Sequence, residues 1–283
     1  MTDSGGILKP ERPGGKTGPK PRLRVVRIGI VSRDYRHKYE NELRDFSEVF
    51  PRVLRLLDEQ RCDTVLFSLF SIIQRPSFRP MGHLRNLRHV RSVLYEEFTG
   101  RSFVKGKWKE KTATKAEGWC VVLHRQGKNW ETYKLRQIFG SLSKMKEGEI
   151  RSFVSNEIPK RILGNCCVIL CGESNGVNFS RADMKVHDHF HFRKAIPPEA
   201  SIILNPIHDR MTRPEMRLKR AFLSRKGRWV ISVWNKGKVD KNGRVTDGKR
   251  PPWTVFHDGN EKKIDPMRNQ LGLEIGILNV LER

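Results

Sequence analysis

From Asn165 to Val177 the chain reads NCCVILCGESNGV. Cys166 to Cys171 is an unbroken run of apolar or near-apolar residues, and Gly172, Glu173, Ser174 and Asn175 follow at once. The run predicts a buried strand, and the abrupt change of composition predicts a sharp turn at its C-terminal end. Such a turn exposes the last side chain of a strand at the edge of its sheet. Cys171 is therefore a candidate nucleophile, with an acid, Glu173, two residues beyond it. The same residue also suits a packed core, where free cysteine behaves as a small hydrophobe.

C-terminal to this stretch, Ser201–Asn205 (SIILN) predicts a strand, Arg213–Arg225 a basic helix and Arg228–Asn235 (RWVISVWN) another strand. A polar Gly- and Lys-rich loop then runs from Lys236 to Pro252, and Trp253–His257 and Leu271–Val280 read as short strands. On the N-terminal side, Phe139–Ile150 is looser. Trp119–Arg125 and Trp130–Gln137 read as a hairpin around Gly127-Lys128-Asn129. Earlier still, Val25–Val31 and Asp63–Ile73 (DTVLFSLFSII) predict strands. Between them, Leu43, Phe46, Val49, Phe50, Val53, Leu54 and Leu57 mark an amphipathic helix over Tyr39–Gln60, which makes the opening βαβ-like.

A chain of 283 residues with 37% hydrophobic content can bury one large core, and no linker-like segment interrupts its middle. The expected organisation is a basic, Gly/Pro-rich arm over residues 1–24 and one domain over 25–283. No apolar run approaches the roughly 18–20 residues of a membrane span. Five cysteines without regular CxxC spacing argue against a disulfide framework and a zinc ribbon, and with the missing signal core they predict a soluble cytoplasmic protein.

The formal net charge is +25. A positive field of that size draws in polyanions, so nucleic acid or a nucleoprotein is the expected partner, with a solvated surface tuned for solubility or an acidic protein partner as the other readings. Candidate contacts are Arg85, Arg88 and Arg91, which recur every third residue in a segment read as helical over Leu84–Phe98, and Lys105, Lys107 and Lys109. Phe78, Tyr95, Phe103 and Trp108 lie among these charges, as base stacking would require. Arg213, Arg217 and Arg220 make the later helix a second basic element. His187, His189 and His191 alternate, so one face of a strand would carry all three. A fourth ligand is not evident, and no metal or cofactor is assigned. His208-Asp209 after Asn205-Pro206, taken with those histidines, matches no recognisable nuclease spacing.

The order of elements resembles that of the carbon–nitrogen hydrolases (nitrilases, amidases and related acyltransferases). The resemblance rests on Phe67-Ser68-Leu69, Tyr133-Lys134-Leu135-Arg136, Leu170-Cys171-Gly172-Glu173, and the series Ile202–Pro206, Met216–Ser224 and Val230–Gly237. It implies an α/β fold, a four-layer αββα sandwich, with Cys171 as nucleophile and Lys134 as the cation that stabilises the oxyanion. The family's general-base glutamate does not carry over: Leu69 stands in its place. Glu147 or Glu149 corresponds to a second glutamate of that family and is the candidate substitute base, and Glu173 is a turn-capping acid or a further catalytic candidate. The resemblance implies a homo-oligomer and, by analogy with nitrilase-like domains beside bacterial reverse transcriptases, an antiviral assembly. Two functions follow: an impaired hydrolase scaffold whose basic surface binds nucleic acid, or a working amidase or acyltransferase.

Overall fold

The computed structural model describes residues 24–33, 47–73, 77–98, 118–140, 146–208, 213–236 and 250–282. Among them, the strands form two main sheets. The first contains β1 (Arg24–Arg33), β2 (Thr64–Phe67), β3 (Ile72–Ile73), β4 (Ser92–Phe98), β5 (Gly118–Gln126), β6 (Asn129–Leu135), β15 (Pro266–Met267) and β16 (Leu273–Glu282), in the order β15-β16-β1-β2-β4-β5-β6 with β3 beside β4. The second contains β7 (Ile162–Leu163), β8 (Cys166–Val168), β11 (Ile202–Pro206), β12 (Trp229–Val233), β13 (Trp253–His257) and β14 (Asn260–Lys262), in the order β14-β13-β12-β11-β8-β7. A small hairpin pairs β9 (Asn178–Ser180) with β10 (Lys185–His187). At the heart of each sheet are three parallel strands: β1, β2 and β4 in one, β8, β11 and β12 in the other.

The alternation of side chains along each strand decides what lies between the layers. Val26, Ile28, Ile30, Leu66, Leu94, Cys120 and Val122 of the first sheet share one buried cluster with Cys166, Val168, Ile202, Leu204, Ile231, Val233 and Val255 of the second. The sheets are therefore stacked face to face. The other face of the first sheet (Val31, Val65, Phe67, Val93, Tyr95, Val121) packs on α1 (Phe50–Glu59) through Phe50, Val53, Leu54 and Leu57. Gly29 lets that helix approach, since a Cβ there would come within 2.7 Å of Leu57. The outer face of the second sheet packs on α3 (Glu147–Ser152), α4 (Phe192–Ala195) and α5 (Pro214–Leu223) through Ile150, Phe192 and Leu223. The four layers are helix, sheet, sheet, helix, the αββα sandwich expected from the sequence.

Several expected elements differ. The helix expected over Leu84–Phe98 is confined to α2 (Met81–Leu84); Ser92–Phe98 is β4, which lies between β2 and β5. The cause lies in α1, where the Asp58 carboxylate accepts the N–H groups of Arg88 (3.0 Å), His89 (2.7 Å) and Val90 (2.9 Å). Those donors are thereby withdrawn from any helix. The strand expected over Asp63–Ile73 is broken after Phe67 by a turn in which Phe70 has φ 56°. Of the helix expected over Tyr39–Gln60, the part before residue 47 lies outside the described residues, as do Lys105, Lys107, Lys109 and the arm up to residue 23.

Candidate active site at Cys171

The carboxyl ends of the parallel strands in both sheets meet at one place, where open α/β sheets usually bind ligands. Backbone and side chains join the two sheets there. Ser68 Oγ donates to Asn235 Oδ1 (2.6 Å), Asn235 Nδ2 to the Leu69 carbonyl (2.8 Å) and the Leu69 N–H to the Ile207 carbonyl (3.3 Å). Ser32 Oγ donates to the Trp234 carbonyl (2.6 Å). Leu69, Ile207 and Trp234 thus come together around Cys171 in a small apolar cluster.

The strand expected to run to Cys171 ends at Val168, and Cys171 instead opens a 3-10 turn, Cys171–Gly176, after two intervening residues, where it is buried. Gly172 is required by close approach: a Cβ there would lie 2.4 Å from the backbone of Gly140. Glu173 holds the turn. One carboxylate oxygen accepts the Leu170 N–H (2.8 Å); the other accepts the Ile138 N–H (2.9 Å) and Arg161 Nη2 (2.8 Å). Both members of that ion pair are buried, and the Arg161 guanidinium lies 5.1 Å from the centre of the Phe153 ring. Burial pushes the Glu173 carboxyl up to about 7, against the pull of Arg161 and the two N–H groups. This acid positions the turn that carries the thiol.

His208, just past β11, is within hydrogen-bonding reach of the Cys171 thiol. Its Nε2 lies 3.0 Å from Glu96 Oε1, a carboxylate near the end of β4 whose side chain is 8% exposed. Glu96 shares a strand face with Leu94 and so projects between the sheets. Its second oxygen accepts the Phe70 N–H at 2.5 Å. Gly118 leaves the room it occupies, because a Cβ there would come within 2.5 Å of Glu96 Oε1. The Phe70 ring lies 4.2 Å from the His208 ring, tilted by 47°. A bulky residue at positive φ typically costs about 1–3 kcal/mol and marks a functional turn, and Phe70 touches both members of the pair. Burial disfavours the His208 imidazolium, but the Glu96 carboxylate and the Cys171 thiol outweigh it and raise the group well above its usual value. Arg220 of α5 adds positive charge. It is fully buried, its Nη1 donates to Thr254 Oγ1 (3.1 Å), and burial lowers its pKa to about 10 while the field of Cys171 opposes that shift.

The other expected site residues lie elsewhere. Lys134 pairs in register with Val121, which faces α1, whereas its neighbours Tyr133 and Leu135 pack into the space between the sheets. Lys134 is therefore exposed on the opposite face of β6 from the one turned toward the second sheet. Glu147 pairs with Arg151 on the surface of α3, and Glu149 accepts the Lys146 N–H at the start of the same helix (3.0 Å). Neither is joined to Cys171. Arg85, Arg88 and Arg91 are exposed, opposite the buried Leu84, Leu87 and Val90. Arg213 is exposed and pairs with Glu215, and Arg217 pairs with Glu261. Arg220 is buried, so it cannot belong to a basic surface. His187 is held by Asp183 (2.7 Å) and stacked on His189, and among the described residues no cluster of His, Cys, Asp and Glu could hold a metal. The five cysteines are free, and no described helix is long and apolar enough to cross a membrane.

Glu96 and His208 carry little local signal in the sequence. The available signal was a carboxylate at the end of a Val-Leu-Tyr run and a histidine just beyond a SIILN strand, both at strand ends where catalytic groups gather.

The chain is similar to a carbon–nitrogen hydrolase from Helicobacter pylori, with 11% identity, 90% of this chain and 88% of that chain covered, and a TM-score of 0.44. It is also similar to two mutants of the amidase from Nesterenkonia sp. AN1. One is a glutamate-to-leucine mutant with an acetamide moiety of fluoroacetamide added at the active-site cysteine (14% identity, 90% of each chain, TM-score 0.45). The other is a cysteine-to-alanine mutant of this nitrilase-superfamily enzyme (12% identity, 90% of each chain, TM-score 0.43). No protein-family model and no curated protein matches the chain.

Proposed function

We propose that the protein is a thiol-dependent hydrolase or acyltransferase acting on a carbon–nitrogen bond, with Cys171 as nucleophile, His208 as acid and base, and Glu96 as the group that orients and charges His208. The observation that carries this reading is that one imidazole lies 3.0 Å from the Glu96 carboxylate and close enough to the Cys171 thiol for each to favour its charged form. The preference for an amide follows from the order of elements noted in the sequence.

The steps use groups already in place. Paired with the imidazolium, the Cys171 thiolate attacks the carbonyl carbon and forms a C–S bond. His208 gives its proton to the leaving nitrogen as the C–N bond breaks. His208 then takes a proton from water or another acceptor, which attacks the thioester and returns the free thiol. Reaction with p-nitrophenyl acetate followed by intact-mass and peptide analysis tests the proposal. It predicts a burst of nitrophenol and an acetyl group on Cys171. Acetylation spread evenly over the five cysteines, or a burst that survives His208→Ala undiminished, would refute it.

A second reading concerns the surface. Arg85, Arg88 and Arg91 project together from the solvent side of the segment pinned by Asp58, and the net charge is +25. That favours a nucleic acid or nucleoprotein partner, such as a reverse-transcriptase assembly, with the thiol chemistry carried on the same scaffold.

A further inference from the structure

We infer that Lys219 is a positioning residue for the Cys171 thiol: from α5 it fixes the Asn175 side chain, which holds the Gly140 backbone against the turn that carries the nucleophile. The inference rests on the thiol chemistry proposed above and concerns a residue that touches neither substrate nor the reacting atoms. Lys219 Nζ donates to Asn175 Oδ1 (2.9 Å), and Asn175 Nδ2 donates to the Gly140 carbonyl (2.7 Å). Asn175 belongs to the same turn, Cys171–Gly176, as the thiol. A side-chain amide has an accepting end and a donating end, so an ammonium at its oxygen decides that the nitrogen meets Gly140.

The place of Lys219 is otherwise costly. It is 5% exposed, and burial lowers its pKa to about 8, with Glu215 opposing that shift and Arg213 adding to it. An apolar side chain would fill the inward face of α5, beside Met216 and Leu223, without the penalty of burying a charge. What the ammonium adds is a donor at the far end of the turn. The next residue, Arg220, is buried in the field of Cys171, so consecutive residues of one helix serve the two ends of the turn. The segment ending at Gly140 meets that turn at three points. The Ile138 N–H donates to Glu173 (2.9 Å), the Gly140 backbone fills the space where a Cβ on residue 172 would lie 2.4 Å away, and the Gly140 carbonyl takes the Asn175 amide. Glu173 is locked by burial and by Arg161, and Gly172 has no side chain to move. Asn175 is partly exposed, so without Lys219 its amide would be free to turn over toward water. A displacement of about 1 Å at a reacting centre can cost on the order of 100-fold in rate, which makes that freedom matter to the thiol.

Hydrogen exchange of the full-length protein, read by peptide mass, and the p-nitrophenyl acetate burst together test this on Lys219→Met and Asn175→Asp. The second variant keeps an acceptor for Lys219 but removes the donor to Gly140. In both, peptides covering residues 137–140 and 171–176 should exchange roughly 10-fold faster or more, while β1 and β2 exchange as in the wild type. The acylation rate constant should fall roughly 10-fold or more. The ester concentration at half-maximal rate and the burst amplitude per folded chain should stay unchanged, because neither residue touches substrate. Unaltered exchange in both peptides, faster exchange spread over the whole chain, or local loosening without slower acylation would overturn the inference. A wild type that gives no burst refutes the thiol chemistry alone, and the exchange of the two peptides then decides whether Lys219 holds the turn.

Discussion

Glu96 Oε1 lies 3.0 Å from His208 Nε2 across 112 residues of sequence and across the gap between two sheets. This contact favours the charged form of a histidine beside a thiol. Replacing Glu96 by Gln keeps the shape and removes the charge, so the imidazolium loses its main support and the His208 pKa falls. The alkaline limb of the Cys171 acylation profile should move to lower pH, with turnover down about 10–100-fold. The sign for stability follows from the same shift. A histidine whose pKa is higher in the folded protein stabilises it fully below the unfolded value of about 6.5, and this is lost as pH rises through the folded value. Thermal unfolding of wild type and Glu96→Gln should therefore diverge most in mildly acidic buffer and converge at alkaline pH. Parallel curves at every pH would mean that the pair carries no charge.

The backbone of Gly140 lies where a side chain on residue 172 would have to go, 2.4 Å from an ideal Cβ. Backbone cannot move aside as a flexible side chain can, so Gly172→Ala should destabilise the protein by about 1–3 kcal/mol and displace the turn. Labelling of Cys171 by iodoacetamide, normalised to the folded fraction, should change by more than 10-fold. A variant with wild-type Tm and labelling rate would show that the Gly140 segment yields freely.

The Cys171 turn was legible because the switch from apolar strand to Gly-Glu-Ser-Asn is local, and the stacked sheets were legible because each strand alternates or runs apolar within a few residues. The facing of Lys134 was also in the sequence: Tyr133 and Leu135 are the apolar members of the hairpin strand, so the lysine between them must point the other way. β4 was hidden because Arg85, Arg88 and Arg91 repeat at a spacing that also suits a helix, whereas a carboxylate from α1 sets the real conformation. The partnership of Glu96 with His208 has no local signature at all. It depends on the order in which parallel strands assemble, and that order is a property of the whole chain.

Arg161 and Glu173 form a buried ion pair beneath the thiol-bearing turn. Removing one partner strands the other, so Arg161→Met should cost about 3–5 kcal/mol. Glu173→Gln keeps the shape and reports the titration. The Glu173 carboxyl is raised to about 7, above its unfolded value of roughly 4.3. The folded state therefore holds a proton that the unfolded chain has released, and the stability this provides is present at low pH and lost as pH rises from about 4.3 to 7. Wild-type stability should decline relative to Glu173→Gln across that window, by at most about 3 kcal/mol. Urea unfolding at pH 4.5, 5.5, 6.5 and 7.5 measures it; a difference that stays constant over the four buffers would place the carboxyl at its ordinary value.

Arg85, Arg88 and Arg91 stand on a segment whose inner residues, Leu84, Leu87 and Val90, are buried and whose backbone is tied to Asp58. Changing the three arginines to Glu touches none of those contacts, so the fold should survive with Tm nearly unchanged. If this face meets a polyanion, each lost phosphate contact removes about one released counterion. The slope of log K against log[salt] should then flatten by about two to three, with affinity for a mixed-sequence oligonucleotide falling at least 10-fold at about 100 mM salt. Cys171→Ala, which alters no surface charge, should leave both affinity and slope where they were. Binding that is untouched by the triple reversal would exclude this face as the nucleic-acid surface, and binding that fails with Cys171→Ala would tie the polyanion to the thiol pocket instead.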